Sequence, residues 1–160
     1  MSTPRLEIDV GKIHYNACVL VKKLAPIGIS VTGVTKAILG LPKIANAMLR
    51  AGASTLGDSR IENIESMRQA LISSSISLIR SPMLSQVDRV VRSSDISFNT
   101  ELEVISKLSS AAKRADRIHG IILMVELGDL REGIIPKDIE SILYKTLKLP
   151  NITFRGIGAN

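Results

Sequence analysis

A chain of 160 residues, 45% hydrophobic and 22% charged, has apolar side chains enough for one core and is not a disordered polymer. Its single cysteine, Cys18, excludes an intrachain disulfide, and with His14 and His119 each standing alone no metal site is expected. The formal charge of +6 raises nucleic acid as a partner, but the basic residues are spread over all the predicted helices and only two Phe, two Tyr and no Trp offer stacking faces, so no nucleic-acid partner is expected.

From the N-terminus, Met1 to Glu7 lacks the apolar core of a signal peptide, and no later apolar run approaches the about 20 residues of a spanning helix. No membrane association is expected, and the cytoplasm is the expected location. Leu6 to Asp9 reads as a short extended piece. Ile13, Ala17, Leu20, Val21 and Leu24 then share one helical face, and the β-branched run Ser30 to Thr35 follows as a strand. Ile44, Ala47, Met48 and Ala51 mark a second helix before a strand at Ser54 to Gly57. The alternation repeats: helix Ile61 to Leu71 and strand Ser75 to Ile79, helix Leu84 to Val91 and strand Ile96 to Phe98, helix Leu102 to Ala112 and strand Gly120 to Leu127. A last helix carrying Ile139, Ile142, Leu143 and Leu147 leads to strand Ile152 to Ala159.

Strands such as Ile121 to Val125 are continuously apolar, as expected when both faces of a parallel sheet are covered. Ser59 with Glu62 and Thr100 with Glu103 fit the capping box that opens a helix. No linker or compositional break divides the chain, so residues 1–160 read as one α/β domain. An open doubly wound sheet would commonly place Gly-x-Gly-x-x-Gly after its first strand, and none follows here. The pattern predicts instead a (β/α)₈ TIM-type barrel, incomplete at about six strands, since a full barrel takes roughly 250 residues. The outer edges of the first and sixth strands would be unpaired and apolar.

Reactive groups of such barrels gather at the C-terminal ends of the strands. Here those positions hold Lys36, Asp58, Ser59, Arg60, Arg80, Asn99, Glu126, Asp129, Arg131 and Asn160. Taken singly, most of these read as caps, loop closures or charge balance. Lys36 stands out: a lysine where a strand gives way to a loop can lose its proton and attack a carbonyl carbon. Arg131 lies in Gly128-Asp129-Leu130-Arg131-Glu132-Gly133, a loop long enough to fold over the barrel mouth. Its guanidinium could hold an anionic oxygen beside Lys36, or pair with Glu132 or Asp129.

These pieces in this order resemble the N-terminal barrel of the alanine racemase family, the fold-type III pyridoxal 5'-phosphate (PLP) enzymes, most closely its alanine/ornithine racemase-like branch. The matching stretches are Pro4 to Asp9, Thr32 to Lys36, Leu56 to Asn63, Leu78 to Met83, Asp95 to Glu103, Gly128 to Gly133 and Gly156 to Asn160. The resemblance implies a PLP-dependent amino-acid racemase that forms a Schiff base through Lys36, with Lys36 also a base on one face of the substrate's α-carbon. A tyrosine from a second subunit of a homodimer is implied on the other face. Arg131 matches the arginine that meets the cofactor's ring hydroxyl. Asn160 falls where alanine racemases carry a histidine beside the ring, a departure that the resemblance shares with the ornithine-type branch, and Gly40 where they place a tyrosine that helps hold the phosphate, a departure that argues against a strict alanine racemase. Ornithine or another basic amino acid is the substrate implied, with Asp58 and Glu126 as candidates for its cationic side chain. The resemblance places further phosphate loops and the second base beyond Asn160, so the 160-residue chain alone is expected to be a weak or inactive racemase. A non-enzymatic PLP-homeostasis protein, a D-amino-acid aldolase or dehydratase of the same fold, and a remnant without cofactor stay open.

Overall fold

The computed structural model describes residues 3–160. Its elements alternate as α1 Val10–Leu24, β1 Thr32–Val34, α2 Pro42–Arg50, β2 Thr55–Asp58, α3 Ile61–Gln69, β3 Ile76–Leu78, α4 Val87–Ser93, β4 Ile96–Asn99, α5 Leu102–Arg114, β5 His119–Met124, α6 Ile139–Thr146 and β6 Ile152–Gly158. The six strands form one sheet in the order β1-β2-β3-β4-β5-β6, every pair parallel. This is six strands of a TIM-type barrel left open, with β1 and β6 each paired on one side only. Among the described residues no helix is long and apolar enough to cross a membrane.

The core lies between the outer face of the sheet and the helices. Leu56, Ile64, Met67, Ile76, Val90, Ile105, Leu108, Ile121 and Leu123 are fully buried there. Parallel strands put alternate residues on opposite faces, so Leu56, Ile121 and Leu123 turn to the helices while Thr55, Gly57 and Ile122 turn inward. The expectation that both faces are covered is therefore corrected. Six strands do not close around their own inner face, and in β5 Ile122 is half-buried where its neighbours Ile121 and Leu123 are sealed. The inner face is an open trough.

Local capping also departs from expectation. The helix after β2 begins at Ile61 with Arg60 as its N-cap, and the helix after β4 begins at Leu102 with Glu101; neither cap uses its side chain. Ser59 and Thr100 sit one residue too early to serve as capping hydroxyls. Thr100 instead meets Ser81 at 3.2 Å, and Asp58 Oδ1 accepts from the amide of Arg60, the N-cap of α3, at 3.0 Å. Asp9 caps α1 by accepting from the Lys12 amide at 3.0 Å, and Leu6 to Asp9 stays outside the sheet. Leu84 to Gln86 forms a 3₁₀ turn ahead of α4 proper.

At the opposite end of the strands His119 is 1% exposed. Ser97 Oγ accepts from Asn99 Nδ2 at 3.0 Å, which leaves its own hydrogen for the unprotonated His119 Nε2 at 2.9 Å. Burial, together with the nearby Arg117 cation, pushes the His119 pKa down from 6.5 to about 4.

Candidate functional site at the mouth of the trough

Lys36 is delivered by a chain of constraints that starts in the core. The β1 backbone continues its pairing one residue past the strand, Thr35 donating its amide to Gly57 O at 2.9 Å. Thr35 is fully buried, and its Oγ1 donates to Asp58 Oδ2 at 2.7 Å. The chain then turns outward through the 3₁₀ turn Lys36–Ile38, held by Ile38 and Gly40 amides that both reach Thr35 O. Gly40 has φ +69 and packs on Asn63, where a Cβ would stand 2.8 Å from Asn63 Cβ. A side chain at Gly40 would force the Asn63 backbone to shift. Asn63 closes the circuit by donating Nδ2 to Asp58 Oδ1 at 2.9 Å.

Asp58 is thereby explained, and not as a substrate ligand. It is 0% exposed, and its two oxygens accept from Thr35, the Arg60 amide and Asn63. The parity of β2 turns Asp58 to the helices, as the parity of β4 turns Asn99, also 0% exposed. The assignment of Asp58 to a cationic side chain is corrected on this ground.

The trough beside Lys36 has a volume of about 380 Å³ and is walled by inward residues of β1 to β5, including Val34, Thr55, Ser77, Phe98 and Ile122, with Arg131, Glu132 and Asn160 at its mouth. A smaller cavity of about 170 Å³ at the same end gathers Lys36, Ser59, Arg80, Arg131 and Glu132. Arg80, which by itself reads as a loop closure, belongs with Lys36 and Arg131. It also lines a separate groove of about 540 Å³ running outward past Arg60, Glu62 and Met83. Among the described residues, Lys36, Arg80 and Arg131 hold no ion pair, so three cations converge on one mouth without fixed counterions. The pairing of Arg131 with Glu132 or Asp129, left open by the sequence, is not made.

The loop carrying Arg131 is built from its ends inward. Ile134 returns to β5, its amide meeting Met124 O at 2.7 Å while the Glu126 amide meets Ile134 O at 3.0 Å. Gly133, with φ +149, lies so close that a Cβ would overlap the Glu126 backbone. Glu126 Oε1 accepts from the amides of Gly128 and Leu130. Asp129 accepts from the Arg131 amide and from Asn160 Nδ2, both at 3.4 Å, which links the loop to the end of β6. One oxygen of Glu126 is thus engaged in shaping the loop, and Glu126 lines neither of the cavities that include Lys36. The residue that the sequence reading passed over is Glu132, seen there only as a partner for Arg131.

The chain's residues 8–159 match the family described as "Alanine racemase, N-terminal domain". It is 34% identical over 158 residues to a protein named ornithine racemase from Acetoanaerobium sticklandii, covering 98% of this chain and 44% of that protein. It is 36% identical over 161 residues to one named lysine racemase from Thermotoga maritima, covering 100% of this chain and again 44% of the relative. The chain therefore spans less than half the length of these relatives. Among solved structures, a D-threonine aldolase from Filomicrobium marinum superposes with a TM-score of 0.87 at 17% identity, covering 98% of this chain and 43% of that one. That likeness shows the fold alone.

Proposed function

Because this chain belongs to the alanine racemase N-terminal domain family, as the match over residues 8–159 shows, we propose that it is the lysine-bearing barrel portion of a PLP-dependent amino-acid racemase of the ornithine, lysine or alanine type. The observation that carries the proposal is Lys36 at the end of β1, opening onto a trough whose mouth also holds the unpaired Arg131.

The residues present suit that cofactor. A phosphorylated aldehyde is anionic, and Lys36, Arg80 and Arg131 offer it cations with no competing internal carboxylate bound to them. The trough of about 380 Å³ falls within the roughly 300–1,000 Å³ of small-ligand sites. PLP, when bound, supplies an electron sink that stabilises negative charge at the α-carbon of an amino acid.

In this reading Lys36 anchors the cofactor and moves a proton at its Nζ on one face of the substrate. Thr35 and Asp58 are positioning residues: they fix the backbone from which Lys36 leaves the sheet. Arg131 donates to an anionic oxygen at the mouth, and Asn160 steadies the Arg131 loop through Asp129. Two-sided proton transfer needs a second acid–base group. The chain's tyrosines, Tyr15 and Tyr144, are exposed on α1 and α6 and do not line the trough, so we place that group elsewhere in the complete enzyme, with a second subunit as its source.

The non-enzymatic PLP-carrier reading shares Lys36 but not the need for proton transfer, so one experiment separates them. The chain is mixed with PLP and L-ornithine in D₂O, and α-hydrogen exchange is followed by NMR. Enzymatic descent predicts exchange above the PLP-alone rate that disappears in Lys36→Ala. In parallel, borohydride reduction and peptide mapping are expected to find the label on Lys36. Labelling of Lys36 without exchange supports the carrier reading; label scattered over surface lysines, or exchange unchanged in Lys36→Ala, overturns the cofactor assignment.

A further inference from the structure

We propose that Glu132 is the specificity residue for amino acids whose side chain ends in a second ammonium group, an inference that rests on the PLP-racemase reading above and deepens it. A diamino acid presents a carboxylate and a distal cation at once. Holding both requires a guanidinium and a free carboxylate in the same enclosure, the carboxylate not already satisfied by the protein.

The carboxylates near the mouth can be taken in turn. Asp58 is sealed and accepts three hydrogen bonds. Glu62 pairs with Arg89 at 2.9 Å. Glu126 holds the Gly128 and Leu130 amides, and Asp129 holds Asn160 and the Arg131 amide. Glu132 alone of the acidic residues lines both cavities that include Lys36, and among the described residues it forms no ion pair.

Glu132 is also half-buried, which strengthens its attraction for a cation relative to a fully solvated carboxylate. The backbone that carries it is held: the tight approach of Gly133 to Glu126 and the return of Ile134 to β5 keep the Arg131-Glu132 pair at the mouth. A third cavity of about 410 Å³ shares Glu132 and Arg131 with the two that include Lys36 and is lined further by Glu101 and Thr100, not by Lys36. A side chain entering that cavity has two carboxylates on its walls, Glu132 and Glu101. Arg131 or Arg80 is left for the substrate's own carboxylate, and the charges of the zwitterion are matched.

The test uses the full 160-residue chain and two stable probes, the reduced adducts phosphopyridoxyl-L-ornithine and phosphopyridoxyl-L-norleucine, which have equal length and differ by ammonium against methyl. Affinities are measured by calorimetry on the native chain and on Glu132→Gln, with Glu126→Gln as the loop control. The native chain is expected to prefer the ornithyl adduct by about tenfold, the scale of one charge-assisted pair at a partly exposed site. Glu132→Gln is expected to reduce the preference to within about twofold by weakening the ornithyl adduct only, whereas Glu126→Gln weakens both alike. The inference is overturned if the preference survives Glu132→Gln, or if Glu132→Gln weakens both adducts equally. Equal binding of both adducts by the native chain would leave the cofactor reading standing and remove this one; binding of neither would remove both.

Discussion

Asp58 offers the sharpest test of how Lys36 is placed. Replacing it with alanine removes the acceptor of Thr35 Oγ1, the Arg60 amide and Asn63 Nδ2. Thr35 keeps a second acceptor, Gly57 O at 3.3 Å, so its loss is small. The Asn63 side chain is 8% exposed and the Arg60 amide part-buried, and each becomes an unsatisfied donor. At about 1–3 kcal/mol for a buried group left without a partner, Asp58→Ala is expected to cost about 2–4 kcal/mol. Asp58→Asn keeps the shape. Its remaining oxygen can serve Arg60 and Asn63, and its amide can donate to the Thr35 hydroxyl, so its cost is expected near 1 kcal/mol. Urea unfolding followed by circular dichroism reads both, and with a slope of about 2 kcal/mol/M, the middle of the usual range, the alanine variant shifts the midpoint by about 1–2 M. An alanine variant within about 0.5 kcal/mol of the native chain would refute the positioning role. So would an asparagine variant as costly as alanine. Loss of the ornithyl-adduct preference in Asp58→Asn at unchanged stability would restore the substrate role that the structure removes.

Gly40→Ala should destabilise the chain by about 2–4 kcal/mol, since it combines a left-handed backbone with a Cβ 2.8 Å from Asn63; a cost below about 0.5 kcal/mol in urea unfolding would contradict the packing described. His119 gives a pH signature. The unfolded side chain binds its proton near 6.5 and the buried one only near 4, so between these values the unfolded state holds more protons and stability falls as the pH is lowered. The full loss is about 3 kcal/mol. The difference in unfolding free energy between the native chain and His119→Gln should vary by about that amount between pH 7 and 4. A constant difference would mean that His119 is not buried neutral.

Much of this protein is written in its sequence because the signals are local. The alternation of 3.6-residue and two-residue periods gives six strands and the helices between them, and a β-branched run ending in Thr35-Lys36 marks where the Lys36 amine leaves the sheet. The order of motifs along the chain is enough for the family. Which face a strand-end side chain occupies is a matter of register, and register is set by the packing of the whole sheet on its helices. That is why Asp58 and Asn99, polar and correctly placed along their strands, turn out to be buried on the helical side, and why Ser59 and Thr100 fall one residue short of capping. Carboxylates are likewise indistinguishable in sequence until their partners are known. Glu126 gives one oxygen to the loop that it shapes, and Glu132, two residues before the chain rejoins β5, forms no ion pair at the mouth. Local periodicity and residue order determined the elements, the lysine and the family; the long-range pairing of strands and the closure of one loop decided which charges face the site.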